Sequence, residues 1–404
     1  DYYASRGLGD VYKRQMMNLS DKEIGERLRT AREAARLTQA QAAQAINVAR
    51  TTLVAIEQGI RHAKIDEIQR LALLYRVSAN SILRNESTNI NIKPFFRKLN
   101  GCKDMDAEDS FKILESLIKA EVELENVLGV KRIKNYPPVK NIYQGNIEKQ
   151  AEVDAQELRN WLGIGAVSPI INLYSILDLQ MGIRIYIRKL PSKISGLFAF
   201  DKNAGACMLL NADHPIDRLR QSAAHETGHF MTCRDNVEVL FDNEDMVSRE
   251  EKYAGCFGRY FLTPQRAVQE KFSDLVAGQT RLTRRHIIIL ANYFGVSREA
   301  ITRRLEELEL VRKGTWNWFE DNGGITDVQA EEVLGKSYKK YLGKEFQGIL
   351  PPRLLLLAQE AWKKNIYSEG QLADLLSLDR YQIRDIIIDA EEEDDHNEFL
   401  KLPN

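Results

Sequence analysis

Cysteine and histidine are both scarce, with four and six among 404 residues. Cys102, Cys207, Cys233 and Cys256 lie far apart, and no two form a C-x-x-C pair. That excludes a thiolate zinc module or a disulfide-stapled secreted domain, and it predicts a reduced, cytoplasmic protein. Long apolar runs are also missing. None approaches the roughly 18 residues that span a bilayer, and no secretory signal is read, so no membrane partner is expected. Excess charge is absent too: the net charge is -1, so any attraction to nucleic acid must come from a local patch. Charged residues make up 28% and hydrophobic residues 44%, an ordinary globular balance. The length calls for two or three domains.

Two of the few histidines fall together, in Ala224-His225-Glu226-Thr227-Gly228-His229. Positions four apart stack on one face of a helix. His225 and His229 can therefore aim two imidazoles at one ion, with Glu226 beside them to polarise a water. A catalytic zinc takes three protein ligands and keeps a fourth position open. The third is expected from a following helix, read from Ser248 to Phe261 and stopped by Pro264. On charge alone, both Glu250 and Glu251 qualify. Two imidazoles and one carboxylate suit Zn2+, and Mn2+ equally.

The first regular pattern begins at Ser20. Ser20-Asp21-Lys22-Glu23 and Thr38-Gln39-Ala40-Gln41 are capping boxes, each opening a helix. Ile24, Leu28, Ala31 and Ala35 make the first apolar stripe. A third helix runs from about Arg50 to Gln58 and stops at Gly59. Two more follow, over 65–75 and 78–83. Five short helices, the second and third joined by a tight turn at Asn47-Val48, describe a helix-turn-helix domain.

That segment resembles the XRE family of repressor-type DNA-binding domains. The matching residues are Arg32-Glu33-Ala34, Leu37-Thr38-Gln39, Ala43, Val48 to Leu53 and Ile56 to Gly59. The resemblance implies a double-stranded DNA operator as partner. It gives Gln39 a phosphate contact and turns Arg50, Thr51 and Thr52 toward base edges. A guanidinium at Arg50 can bind guanine through two hydrogen bonds. Ala49 stands where such a helix usually has a serine or threonine cap, a loss of about 0.5–2 kcal/mol.

The histidine pair and its downstream helix resemble the ImmA/IrrE metallopeptidases. The match is His225-Glu226-x-x-His229, then Glu251-x-x-Ala254-Gly255-x-Phe257-Gly258 and Phe261-Leu262-Thr263-Pro264. It selects Glu251 over Glu250 as the third ligand. Gly255 and Gly258 depart from the family's Asn and Ala, which weakens the helix by on the order of 1 kcal/mol each. The implied activity is zinc-dependent endopeptidase cleavage, with Glu226 as catalytic base and a protein, a transcriptional repressor, as substrate. The alternative is a non-catalytic transcription factor, or an antitoxin-like repressor, whose peptidase fold senses a ligand or metal.

The remaining elements follow from pattern. Residues 147–162 and 170–178 read as helices. Ile183 to Arg188, Gly196 to Phe200 and Ala206 to Leu210 read as strands, the last two joined as a hairpin. A substrate chain could add to such a sheet edge. Cys233, four residues after His229, would share the metal face if the helix persisted. Residues 282–310, with helices over 287–294 and 298–310, have a second helix-turn-helix outline, read as packing. Further helices are expected over 350–364 and 367–389, then a disordered acidic tail at 391–395.

The fold class is thus α+β, mainly α. It comprises a five-helix repressor-type helix-turn-helix domain, a zincin-like peptidase domain with a small β-sheet, and a helical C-terminal region. The expected divisions are a non-native leader (1–15), a DNA-binding domain (16–85), a linker with a helix that is a candidate homodimer contact (86–146), a peptidase domain (147–315) and the C-terminal region (316–404).

Overall fold

The computed structural model describes residues 20–75, 77, 79–83, 105–234, 238–241, 248–335 and 350–396. The expected leader at 1–15 lies outside the described residues. The described residues form two compact units. One takes those up to 83, those of 122–130 and those from 358; the other takes 105–121 and 131–357.

The first unit opens with α1 (Asp21–Ala34), α2 (Gln39–Ala45), α3 (Arg50–Glu57), α4 (Ile65–Tyr75) and α5 (Ala79–Leu83). Both capping boxes form, Ser20 with Glu23 and Thr38 with Gln41. Ala49 starts α3 without a side-chain cap, as expected. Leu28, Ala42, Leu53, Ile56, Ile68 and Leu71 share one core. An ion pair is buried within this helix set. Arg32 of α1 donates to both Glu57 oxygens at 2.6 and 3.1 Å, and Gln39 of α2 donates to Glu57 at 2.8 Å. Three helices are thus held by one carboxylate. Removing one member of a buried pair typically costs about 3–5 kcal/mol, because a charge is left uncompensated.

The second unit contains α6 (Met105–Leu128, up to residue 121), α7 (Ile147–Trp161) and α8 (Leu173–Ser175). The helix expected over 170–178 is displaced. α8 is a single turn that continues as a π-helix over Ile176–Met181 and ends at Gly182 with φ +78. A Cβ at Gly182 would sit 2.1 Å from the Ile133 carbonyl oxygen, so this close backbone approach requires glycine.

Three strands follow: β1 (Arg184–Arg188), β2 (Ile194–Asp201) and β3 (Gly205–Asn211). β2 and β3 form the expected hairpin, while β1 lies parallel to β3. A fourth strand, β4 (Glu238–Phe241), pairs antiparallel with β2, giving the order β1-β3-β2-β4. Between β3 and β4 runs α9 (Ile216–Thr232); after β4 comes α10 (Arg249–Leu262).

β1 is anchored from behind by buried charge. Glu121 of α6 pairs with Arg132 and, at 2.9 Å, with Arg184; Tyr186 donates to it at 2.6 Å. Arg132 also reaches Asp178 of the π-helix at 2.7 Å. Burial would raise the Glu121 pKa, yet Arg184 and Arg132 outweigh it and hold the carboxyl at about 2.

The unit continues with α11 (Gln265–Val276), α12 (Arg284–Phe294), α13 (Arg298–Glu307), α14 (Thr315–Asp321) and α15 (Asp327–Leu334). α16 (Pro352–Lys363) is divided between the units, and α17 (Glu369–Leu376) and α18 (Arg380–His396) belong to the first. The pattern over 367–389 therefore holds two helices, separated at Ser377 (φ +53). α18 carries its helical backbone through residues 391–395, which corrects the expectation of a disordered acidic tail. No described helix is long and apolar enough to cross a membrane.

Candidate metal centre

α9 sets out both histidines one turn apart, and its packing on α10 brings a carboxylate to them. The two helices approach closely because glycine lines the contact. A Cβ at Gly228 would lie 2.7 Å from the Ala254 Cα, and one at Gly258 would lie 2.9 Å from the His225 nitrogen. Gly258 is therefore more than a weak helix residue: it lets α10 reach the backbone that carries His225. A Cβ added at Gly255 would meet nothing within 4 Å, so its departure from the family pattern has no packing role.

His225 Nε2 lies 2.9 Å from His229 Nε2. Glu251 reaches both, Oε2 at 3.2 Å from His225 Nε2 and Oε1 at 3.3 Å from His229 Nε2. One ligand atom from each residue falls within 4.8 Å of the other two. Glu251 stands in the first turn of α10, where Ser248 caps its backbone N–H at 3.1 Å. A helix N-terminus favours a carboxylate there. Burial pushes the Glu251 pKa up, but hydrogen bonds from His225 and His229 prevail and hold it well below the ordinary carboxylate range. Glu250 is exposed and outside the cluster.

Access is one-sided. The His229 side chain is 2% exposed, that of His225 13% and that of Glu251 30%. Glu226 is fully buried. Its neighbour is β2, since a Cβ at Gly196 would sit 3.2 Å from Glu226 Oε1. Gly196 pairs with Leu210 on one side and Leu240 of β4 on the other. Sequence reasoning missed Gly196, whose only signal was a glycine opening an apolar run. Cys233 does not join the ligands. α9 ends at Thr232, and Cys233 turns extended at φ -140, so the shared face required by that idea is lost.

The residues expected to meet DNA belong to the first unit. Arg50 and Thr51 are exposed and Thr52 is half-buried on the first turn of α3. Gln39 opens α2 as expected, with its amide nitrogen engaged by Glu57.

Two compact modules, one built on a helix-turn-helix and one with a zincin-like metal cluster, define the class: a DNA-binding regulator with a metallopeptidase-like domain. Comparison with known families agrees. Residues 23–82 match the model of a helix-turn-helix domain, and residues 179–306 match that of the IrrE N-terminal-like domain, an M78 peptidase family. No curated protein matches the chain.

Proposed function

We propose that this chain is a cytoplasmic DNA-binding regulator and a zinc-dependent endopeptidase, cutting a transcriptional repressor, or itself, to relieve repression. The observation that carries the reading is the convergence of His225, His229 and Glu251 from two helices, with Glu226 buried next in line. The donor set fits the ion. Two imidazoles and one carboxylate are a catalytic zinc's usual protein ligands, and three protein donors leave a fourth position open. Manganese fits the same donors.

Zinc in such a set supplies Lewis acidity, bringing the pKa of water toward about 7. Glu226 takes the proton from the attacking water and returns it to the leaving amine. Its burial against Gly196 fixes the carboxylate, and the glycine leaves room for it. His225, His229 and Glu251 hold the ion. The edge strand β4, paired to the β2 strand that Glu226 packs against, orients an extended substrate chain by backbone pairing. In this reading residues 16–85 bind the operator, with Arg50, Thr51 and Thr52 at base edges and Gln39 at a phosphate. Residues 147–315 form the peptidase domain, 86–146 the linker and 316–404 the C-terminal region.

The test is incubation of the full chain with repressors encoded beside its gene, with and without chelator, using wild type and Glu226→Gln. Discrete fragments that vanish with chelator and with Glu226→Gln, while operator binding persists, are expected. Intact repressors in every arm, with no self-cleavage, would overturn the peptidase assignment and leave a metal-sensing regulator.

A further inference from the structure

The C-terminal helix pair repeats the DNA-reading turn position for position, at an offset of 330 residues. Thr38 caps α2 and Ser368 caps α17, each in a capping box closed by a glutamine three residues on, Gln41 and Gln371. The cap bonds match: Gln41 N to Thr38 Oγ1 and Gln371 N to Ser368 Oγ are both 3.3 Å. Each first helix ends at a left-handed residue, Asn47 (φ +59) and Ser377 (φ +53). The next amide closes the turn on an alanine carbonyl, Val48 N to Ala43 O at 2.9 Å and Leu378 N to Ala373 O at 3.0 Å. The second helix then begins with arginine in both, Arg50 and Arg380. Burial repeats as well: Ala43, Ile46, Leu53 and Ile56 correspond to Ala373, Leu376, Ile383 and Ile386, all buried.

What differs is the outward face. Arg380 and Arg384 are exposed, and Tyr381 is 79% exposed. Arg384 also pairs with Glu369 at 3.2 Å. A third turn of similar shape, at Gly295 between α12 and α13, provides an internal contrast. There Arg298 is half-buried and paired to Asp327 at 2.5 Å, and Thr302, at the place of Arg384, is buried. That copy opens its second helix with a half-buried, paired arginine; the C-terminal copy opens it with an exposed one.

We propose that α17 and α18 form a second reader of double-stranded DNA, in which Arg380 and Tyr381 meet base edges at the start of α18. The charge layout suits entry by that end. Arg380 and Arg384 stand in the first turns, and the acidic run 391–395 begins about 16 Å further along the helix. Recognition helices present their N-terminal residues to the bases. Residues 366–388 hold only two Lys/Arg against four Asp/Glu, so this module contributes sequence preference more than bulk affinity. Attachment to the N-terminal reader on the same chain supplies the local concentration it needs.

The experiment selects duplexes from a random library with the full chain, then measures binding of the selected duplex by fluorescence anisotropy. Wild type, Arg50→Ala, the double variant Arg380→Ala/Tyr381→Ala, and Arg380→Lys are compared. Both C-terminal positions are exposed, and matching circular-dichroism melts verify folding. Wild type is expected to select two separate sequence blocks. Arg50→Ala should lose one block and the double variant the other, with affinity falling about 5- to 150-fold, the range for one good base contact. Arg380→Lys keeps the charge but not the two-pronged contact with guanine. It should therefore relax one position and leave the salt dependence unchanged. A double variant that selects the wild-type blocks with wild-type affinity overturns the proposal, as does a wild type that enriches a single block read by Arg50 alone, or no block at all.

Discussion

Replacing Gly258 with alanine tests whether the metal centre depends on the close approach of two helices. The added Cβ would meet the His225 nitrogen at 2.9 Å and the Ala224 carbonyl carbon at 3.0 Å, both backbone atoms. Backbone cannot rotate aside, so α9 and α10 must separate. Overpacking of this kind costs about 1–3 kcal/mol, and the better helix propensity of alanine returns at most about 1 kcal/mol. Gly255→Ala, three residues away on the same helix, is the control. Nothing lies within 4 Å of its added Cβ, so it should stabilise by about 0.5–1 kcal/mol. The two variants should then differ by about 1–3 kcal/mol, or roughly 2–10 °C in melting temperature for a unit of this size. Thermal melts of the metal-free chain give the stability. A zinc titration against a competing chelator gives the affinity, which should fall for Gly258→Ala only, because His225 moves with α9. A Gly258→Ala chain that melts with Gly255→Ala and binds zinc as wild type would refute the reasoning.

Other outcomes follow from the same kind of accounting. Glu57→Ala strips the partner from the buried Arg32 and from Gln39; it should destabilise the DNA-binding unit by about 3–5 kcal/mol, read as an early melting transition. Ala49→Ser supplies the missing cap of α3 and should raise the stability of that unit by about 0.5–2 kcal/mol in the same melt. Glu121 has its pKa lowered to about 2. A depressed carboxyl contributes stability that is complete above its unfolded pKa and is lost as pH falls through the folded one. Acid titration followed by circular dichroism should show that loss between about pH 4.5 and 2, and Glu121→Gln should flatten it while lowering stability at neutral pH.

How much of this was legible depends on the range of the interaction. The pairing of His225 with His229 was, because helical period alone places them together. The capping boxes at Ser20 and Thr38 were, because each is closed within four residues. The choice of Glu251 over Glu250 needed a resemblance, since charge could not separate neighbours; in the structure Glu251 is with the imidazoles and Glu250 is exposed. Long-range features gave no local sign. Glu121 finds Tyr186 across 65 residues, and Gln39 finds Glu57 across 18. β4 is only four residues long, too short for a period-two pattern to stand out. The π-helix at Ile176–Met181 stands where a regular helix was expected, and the contact of its Gly182 cap with the Ile133 carbonyl spans 49 residues. The repeat at 368–387 left little trace in the sequence, because only four of its twenty residues are identical to those of 38–57. What the two segments share is burial and turn geometry.

Zinc binding by the full-length chain tests the central claim most directly. Competitive titration should give one ion per chain, with Glu251→Ala and His229→Ala each weakening it at least tenfold while operator binding is retained. A wild-type chain that takes up no zinc or manganese, or a Glu251→Ala chain that binds as tightly as wild type, would contradict the metal centre on which the account is built.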